Sequence, residues 1–475
     1  MIQYRRFVTV VSLVFSATIL GAQPQQPNFL IILGDDISAN TIGCYGSENP
    51  NTTPNIDRLA DEGIRFTNMF VSEAVCAPAR AELYTGLMPY GNGVIANHGA
   101  TKTGTLSVVQ HLNQLGYRVG LTGKTHIKPA SVYPFQKVKG FQSNCNARKP
   151  KPDTWDGVEA FMTKDADQPF CLVIASIHAH APWDAGDTSL WDVDSLKLPA
   201  NLADTPKTRL LFREYLAEVR LFDEQVGKAD ELLQRLGLDD NTVLIVLDEN
   251  GAGMPCGKWT TYDWGVRSAC VMKWPDAYAA NFETSAIAQY CDILPTLIDA
   301  AGGDVPLAMD GKSLLPLITG KQTEHREQAY FVYNSGGEGT PFSSRATTDG
   351  RYKLIWTLTP ENPFTVRTIN GFDYGYVDKM EDRHVRQMYQ SWLEQADTDD
   401  AAAAMVQRYR HRPEFQLYDL DNDPDEMTNL ATNPEYASKV DELKHSIQAW
   451  MVEQGDSGAL VQSKAHSLKK SKKKK

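Results

Sequence analysis

Short apolar runs recur along the first 300 residues, each closing on a polar or glycine-containing turn. Residues 28–33 form one such run, followed by Gly34-Asp35-Asp36. Residues 118–121, 168–177 and 241–247 form others, and 66–70 leads into Val75-Cys76-Ala77-Pro78-Ala79-Arg80. Near-continuous apolar runs of this length predict strands buried on both faces. Helical spacing fills the gaps: a short helix opened by Thr53-Pro54, residues 105–115 ended by Gly116-Tyr117, residues 206–236, and residues 287–301. Within 206–236, Leu210, Leu211, Tyr215, Val219, Phe222, Val226, Leu232 and Leu233 fall on one face of a long helix, whole or broken, and read as core. Pro206 stands at its start, where a missing N–H does no harm. Strands separated by helices predict an α/β protein with a large, mostly parallel sheet covered by helices on both faces.

Beyond residue 320 the pattern changes. Residues 345–357 and 415–420 alternate as antiparallel strands do, and 436–452 is an amphipathic helix. This predicts a smaller C-terminal domain of antiparallel sheet plus helix. Residues 358–400 are acidic and aromatic-rich with little periodicity, either an insertion shaping a cleft or a surface excursion. The expected division is a signal peptide at 1–22, a large domain at 23–340, a small one at 341–460 and a basic tail at 461–475.

With 475 residues and 42% hydrophobic positions, the chain has material for a large core. Arg5 and Arg6, the apolar run 7–20 and Gly21-Ala22 predict a secretory signal cleaved near Ala22, hence a periplasmic or secreted protein. No later stretch reaches membrane-spanning length, so no transmembrane partner is implied. A net charge of −12 argues against nucleic acid, whose binders carry a basic stripe. The lysine-rich end at 469–475 suits a polyanion or an acidic surface. Seven cysteines leave at least one unpaired, and Cys76 is the natural one. Cys171 and Cys270 lie in apolar runs and read as core, Cys256 reads as structural, and the spacings give no zinc pattern.

Sites in open α/β sheets gather at the carboxyl ends of strands. That rule gathers Asp35 and Asp36, Lys124 and His126, His178 and His180, and Asp248-Glu249-Asn250. Adjacent carboxylates repel, and a hard cation is the simplest way to hold both ionised. Pro78 in a first turn and the helix-forming residues 79–84 place Cys76 at a helix N-terminus, where unpaired N–H groups stabilise a thiolate. Arg80 then lies one turn further in, facing back. The plainer readings are a buried cysteine, a strand-to-helix cap and surface Lys and His residues.

Cys76-x-Pro78-x-Arg80 with Thr85-Gly86 resembles the signature of the type I, formylglycine-dependent sulfatases. Five further segments stand in that family's order: Leu33-Gly34-Asp35-Asp36, Thr122-Gly123-Lys124-Thr125-His126, His180-Ala181-Pro182, Asp248-Glu249-Asn250-Gly251, and Gly257-Lys258-Trp259-Thr260-Thr261-Tyr262. Tyr418-Asp419-Leu420, Asp423-Pro424 and Asn429-Leu430 resemble its C-terminal segment. The resemblance implies an alkaline-phosphatase-like fold and an exported bacterial enzyme hydrolysing sulfate esters on a sulfated polysaccharide or oligosaccharide. It implies that a formylglycine-generating maturation enzyme oxidises Cys76, and that one hydroxyl of the aldehyde hydrate attacks sulfur while the other later expels sulfate. By the same resemblance Asp35, Asp36, residue 76, Glu249 and Asn250 ligate Ca2+. Arg80, Lys124 and Lys258 face the sulfate oxygens, His126 holds and deprotonates the hydrate, and His180 contacts sulfate or protonates the leaving group. The commonest family form has Asp before Asn or His and then glycine; aligned on Gly251, Glu249 takes the Asp place, with Asp248 as the alternative. Asn97, His98 and His178 are candidate substrate contacts, joined by the aromatics of 372–376. Residues 123–129 with Val132-Tyr133-Pro134-Phe135 are similar to the heparan N-sulfatase branch, so sulfamidase activity on heparan-type glycans is the alternative. The rivals are a same-fold phosphodiesterase or phosphatase, which would use threonine or serine as nucleophile, and a non-catalytic glycan binder.

Overall fold

The apolar runs become the centre of a nine-stranded sheet in a computed structural model that describes residues 26–275, 281–371 and 384–461. Its strands are β1 (Asn28–Gly34), β2 (Ile64–Phe70), β3 (Arg118–Gly123), β4 (Gln136–Lys137) and β5 (Phe170–Ala175). β6 (Thr242–Asp248), β7 (Arg267–Lys273), β8 (Phe282–Thr284) and β9 (Ala288–Gln289) complete it. The spatial order is β4-β3-β5-β1-β6-β7-β2-β8, with β9 also against β2. β1, β5 and β6 are buried along their whole length, as unbroken apolar strands must be. All neighbours run parallel except β7, which is antiparallel to both β6 and β2. The mostly parallel α/β sheet read from the sequence is therefore present, with one reversed strand. The expected signal peptide, the tail beyond 461 and the aromatics of 372–376 lie outside the described residues.

The long amphipathic stretch is one unbroken helix, Pro206–Leu236. The Thr205 hydroxyl accepts from the Thr208 N–H at 3.0 Å to start it. Its buried carboxylates fasten other elements. Asp223 accepts from the Asn55 and Ile56 N–H groups at the start of the Pro54–Glu62 helix, at 2.9 and 2.8 Å. Asp230 pairs with Arg58 at 3.0 Å and Lys273 at 3.1 Å. Residues 287–301 are not a single helix. Asp292 accepts from the Gln289 N–H at 2.9 Å, closing a 3-10 turn at Tyr290–Asp292, and the α-helix runs only over Ile293–Ala300.

The second sheet is antiparallel in sequence order: β10 (Ala329–Asn334), β11 (Ser343–Thr348), β12 (Tyr352–Thr357) and β13 (Phe415–Asp419). The helix Ala437–Gln454 lays Leu443 and Ile447 on Leu354 and Leu417. β10, a mostly buried apolar run, belongs to this sheet although it lies ahead of residue 341. The Val332 N–H donates to the Ser72 carbonyl at 2.8 Å, tying β10 to the segment before Cys76. The stretch without clear periodicity contains the helices Arg367–Asn370 and His384–Ala396, and a third follows at Asp400–Arg410. Val385, Met388, Tyr389 and Trp392 bury one face of the second, and Trp392 donates to Thr208 Oγ1 at 2.9 Å. Among the described residues no helix is long and apolar enough to cross a membrane.

Candidate active site

Register alone brings the charged residues together. Gly34 at the end of β1 stands opposite Asp248 at the end of β6, and Gly123 of β3 opposite Ala175 of β5. The ladder then runs one step further: the Glu249 N–H donates to the Gly34 carbonyl at 3.1 Å, Asp35 to His178 at 2.8 Å and Lys124 to Ala175 at 2.9 Å. Four strand ends thus deliver Asp35, Asp36, Lys124, His180, Glu249 and Asn250 to one rim. Gly123 is required where it stands, with φ near +87° and the Ala175 carbonyl only 1.9 Å from where a Cβ would be.

β2 approaches the same rim, and the chain turns from it into the helix Cys76–Thr85, ended by Gly86 in the left-handed region. Cys76 is its first residue and is 2% exposed. Burial and the nearby Glu249 carboxylate raise its thiol well above the usual range, against the depression expected from a helix N-terminus. Desolvation of a buried thiolate outweighs the favourable end of the helix. Arg80 does face back from one turn on: it pairs with Glu249 and donates to the Lys124 carbonyl at 2.9 Å.

Asp35, Asp36, Cys76 and Glu249 each offer a ligand atom, all within 4.8 Å of one another, and all four residues are buried. Asp248 is not in this group. Its side chain turns down between Gly34 and the core, both oxygens without a hydrogen-bond partner among the described residues, and burial raises its carboxyl well above the usual range. Asn250 donates to Asp36 at 2.9 Å while its own buried Oδ1 has no partner. Lys124 reaches both oxygens of Asp35 at 2.6 Å and Glu249 at 3.0 Å; Lys258 reaches Asp36 at 2.7 Å and the Cys76 sulfur at 2.8 Å. Burial works to raise both Glu249 and Asp36, but Arg80 and Lys124 hold the first well below its usual range, and Lys258 and His180 lower the second. A buried cluster of carboxylates and an amide oxygen fits a hard, oxygen-seeking cation better than zinc.

The cluster floors a cleft of about 430 Å³. His126 lines it with its acidity strengthened to a pKa of about 3, by burial first and the Lys124 charge second. Its Nε2 shares a 2.8 Å hydrogen bond with His98 Nδ1. His180 places Nδ1 2.7 Å from the Ala181 carbonyl and 3.1 Å from that of Cys145, leaving Nε2 3.8 Å from Asp36. Burial lowers its pKa to about 4, so the ring is neutral at pH 7, with its proton on Nδ1. Asn97 and His98, the candidate substrate contacts, also line the cleft. His178 does not line this cleft: its imidazole turns inward onto Glu218 of the Pro206–Leu236 helix, because that buried carboxylate needs a donor.

Several lining residues escaped the sequence reading. Asn144, Cys145 and Asn146 form one wall, Arg367 and Arg386 another, and Glu338 stands between Asn97 and Trp259. The sign for Glu338 was a lone charge inside a glycine-rich loop, Gly336-Gly337-Glu338-Gly339. The arginines come from the stretch whose helices went unread. All seven cysteines are free, Cys76 among them.

Fold and site together define a hydrolase of the alkaline-phosphatase-like fold, with a buried acidic cluster that could hold a metal. The chain belongs to the sulfatase family and is a sulfuric ester hydrolase: residues 27–303 match the model described as Sulfatase. Residues 256–366 match that described as N-sulphoglucosamine sulphohydrolase, C-terminal. An ulvan-active sulfatase of Formosa agariphila is 32% identical over 440 residues, covering 91% of this chain and 81% of its own. The human N-sulphoglucosamine sulphohydrolase is 25% identical over 92% of each chain. A protein solved with its substrate D-glucosamine-2-N,6-O-disulfate superposes with a TM-score of 0.69 at 21% identity, covering 91% of this chain and 99% of that one.

Proposed function

We propose that this sulfatase cleaves sulfate esters on a sulfated polysaccharide or oligosaccharide, using a formylglycine made from Cys76 and one calcium ion. The observation that carries the reading is the place of the Cys76 sulfur, at the floor of the cleft, inside the carboxylate cluster and 2.8 Å from Lys258. Asp35, Asp36, Glu249, Asn250 and residue 76 would hold the ion, the cysteine sulfur marking the position of an oxygen of the modified residue. The unpartnered Asn250 Oδ1 and the depressed carboxylates supply the donors such an ion needs. When bound, the ion draws charge from the sulfate oxygens and the aldehyde hydrate provides the attacking oxygen.

The chain's own groups do the rest. Lys124, Lys258 and Arg80 bring positive charge to a buried site, where it stabilises developing negative charge far more than in water. His126, kept neutral, accepts a proton at residue 76, and its buried Nδ1 has no partner among the described residues. His180 holds its proton against two carbonyls, so its Nε2 is an acceptor until an anionic sulfate in the cleft draws a second proton onto the ring. It then contacts sulfate or protonates the leaving oxygen. Asn97 and His98 are placed to meet the sugar.

The glycan class rests on the cleft's amides, histidines and Trp259, and on the ulvan-active relative. The match of residues 256–366 favours N-sulfated glucosamine as the second reading. The N-terminal Arg5-Arg6 and apolar run support a periplasmic or secreted enzyme, matured by a formylglycine-generating enzyme before use. The test is mass spectrometry of the peptide holding residue 76 after co-expression with that enzyme, paired with turnover of an aryl sulfate and of ulvan, carrageenan, fucan and heparan fragments. Conversion of the thiol to the aldehyde with glycan desulfation is expected. Full activity with an unmodified Cys76, or in Cys76→Ala, would overturn the mechanism.

A further inference from the structure

The loop between β10 and β11 brings one carboxylate to the cleft. Glu338 Oε1 accepts from Asn97 Nδ2 at 2.8 Å, Oε2 accepts from Trp259 Nε1 at 3.2 Å, and His98 Nε2 lies 3.7 Å away. The backbone beneath is pinned twice: the Glu338 N–H donates to the Ser335 carbonyl at 2.8 Å, and its carbonyl accepts from the Arg367 N–H at 2.6 Å. Gly339 then passes so close to the Thr365 carbonyl, 1.7 Å from a notional Cβ, that no other side chain fits. The carboxylate is therefore held in one position, with 27% of its side chain still exposed towards the cleft.

Among the described residues its hydrogen-bond donors are Asn97 and Trp259, both uncharged, and they use two of the roughly four acceptor positions of a carboxylate. What remains points into a cleft whose floor takes a sulfate. A second anion beside Glu338 meets like charge at short range in a partly desolvated site. A hydroxyl group, which donates, meets a fixed acceptor. The carboxylate also stands one imidazole, His98, away from His126 at the reaction centre, so what it meets is the ring bearing the cleaved sulfate.

We propose that Glu338 selects that ring: its carboxylate accepts a hydrogen bond from a free hydroxyl and rejects rings on which the same hydroxyl is sulfated. The inference rests on the glycan sulfatase reading and narrows the substrate class to sugars sulfated once on this face. Glu338 is a specificity-determining residue here, with Asn97 and Trp259 holding it in place.

The experiment compares wild type, Glu338→Gln and Glu338→Ala on matched oligosaccharides carrying one sulfate or two vicinal sulfates on the cleaved ring, with 4-nitrophenyl sulfate as a substrate lacking sugar hydroxyls. Both substitutions should lower kcat/KM on the singly sulfated sugar by roughly 10- to 100-fold, the worth of a hydrogen bond to a charged group, and leave aryl sulfate within about 3-fold. Glu338→Gln, which removes charge but keeps an oxygen, should narrow the preference for one sulfate over two by roughly 10-fold or more. An unchanged preference in Glu338→Gln would overturn the inference while leaving the glycan reading intact. An equal fall on aryl sulfate and glycan would also overturn it, since that is the mark of structural support alone. Wild-type turnover of aryl sulfate with no sugar cleaved would instead remove the glycan reading and this inference together.

Discussion

The Lys258 ammonium lies 2.8 Å from the Cys76 sulfur and 2.7 Å from an Asp36 oxygen, so one cation touches the proposed nucleophile position and a carboxylate of the cluster at once. Both contacts are buried, and charge there acts at low dielectric. Lys258→Ala in the matured enzyme should cut kcat on an aryl sulfate by roughly 100- to 1000-fold, as loss of one preorganised donor does. Circular dichroism should show the fold retained. A kcat within a few-fold of wild type would remove Lys258 from the reaction.

Glu249 and Asp248 are neighbours with opposite surroundings. Glu249 is held ionised beside Arg80 and Lys124, whereas Asp248 is buried without a hydrogen-bond partner and shifted towards its neutral form. Glu249→Gln should therefore lose stoichiometric calcium in elemental analysis, and Asp248→Asn should keep it. The reverse result would exchange their assignments.

Burial fixes a direction for pH. His126 and His180 take up protons in the folded protein only near pKa values of about 3 and 4, while an unfolded chain protonates them from about pH 6.5 downwards. The unfolded state thus binds more protons between those limits, so the stability they contribute is whole above about pH 6.5 and drains away as pH falls towards 4. The urea midpoint of the wild type should fall more steeply over that window than that of a His126→Gln, His180→Gln double variant. Parallel slopes would refute the neutral assignment.

His178 makes a different claim. It holds the buried carboxylate of Glu218, so His178→Ala should destabilise the protein by about 1–3 kcal/mol, the cost of leaving a buried acceptor without its donor. KM for a glycan substrate should stay as it was. A raised KM with unchanged stability would restore His178 as a substrate contact.

How far the sequence reached depended on the range of the physics. β1, β5 and β6 were legible because a strand buried on both faces needs an unbroken apolar run, and their polar ends named most of the charged cluster. The offset to Gly251 put Glu249 first and left Asp248 as the alternative; it is the Glu249 side chain that stands beside Asp35 and Asp36. The thiol of Cys76 ran the other way because its burial is made by remote strands, which no local rule contains. The helix His384–Ala396 had the spacing Val385, Met388, Tyr389, Trp392, but acidic and aromatic neighbours masked it. Glu338 had no local sign beyond its glycines, for its partners Asn97 and Trp259 are 241 and 79 positions away.

The late origin of one wall has a consequence for how such a chain can diverge. The groups proposed to handle the sulfate are in place by Lys258, while Glu338, Arg367 and Arg386 arrive on the β10–β11 loop and the helices beyond it. One part of the proposed sugar-facing wall is thus written later in the gene than the proposed chemistry, while Asn97 and His98 share the earlier stretch. Substitution confined to the later third would change that wall of the cleft while leaving the charged cluster at the strand ends in place.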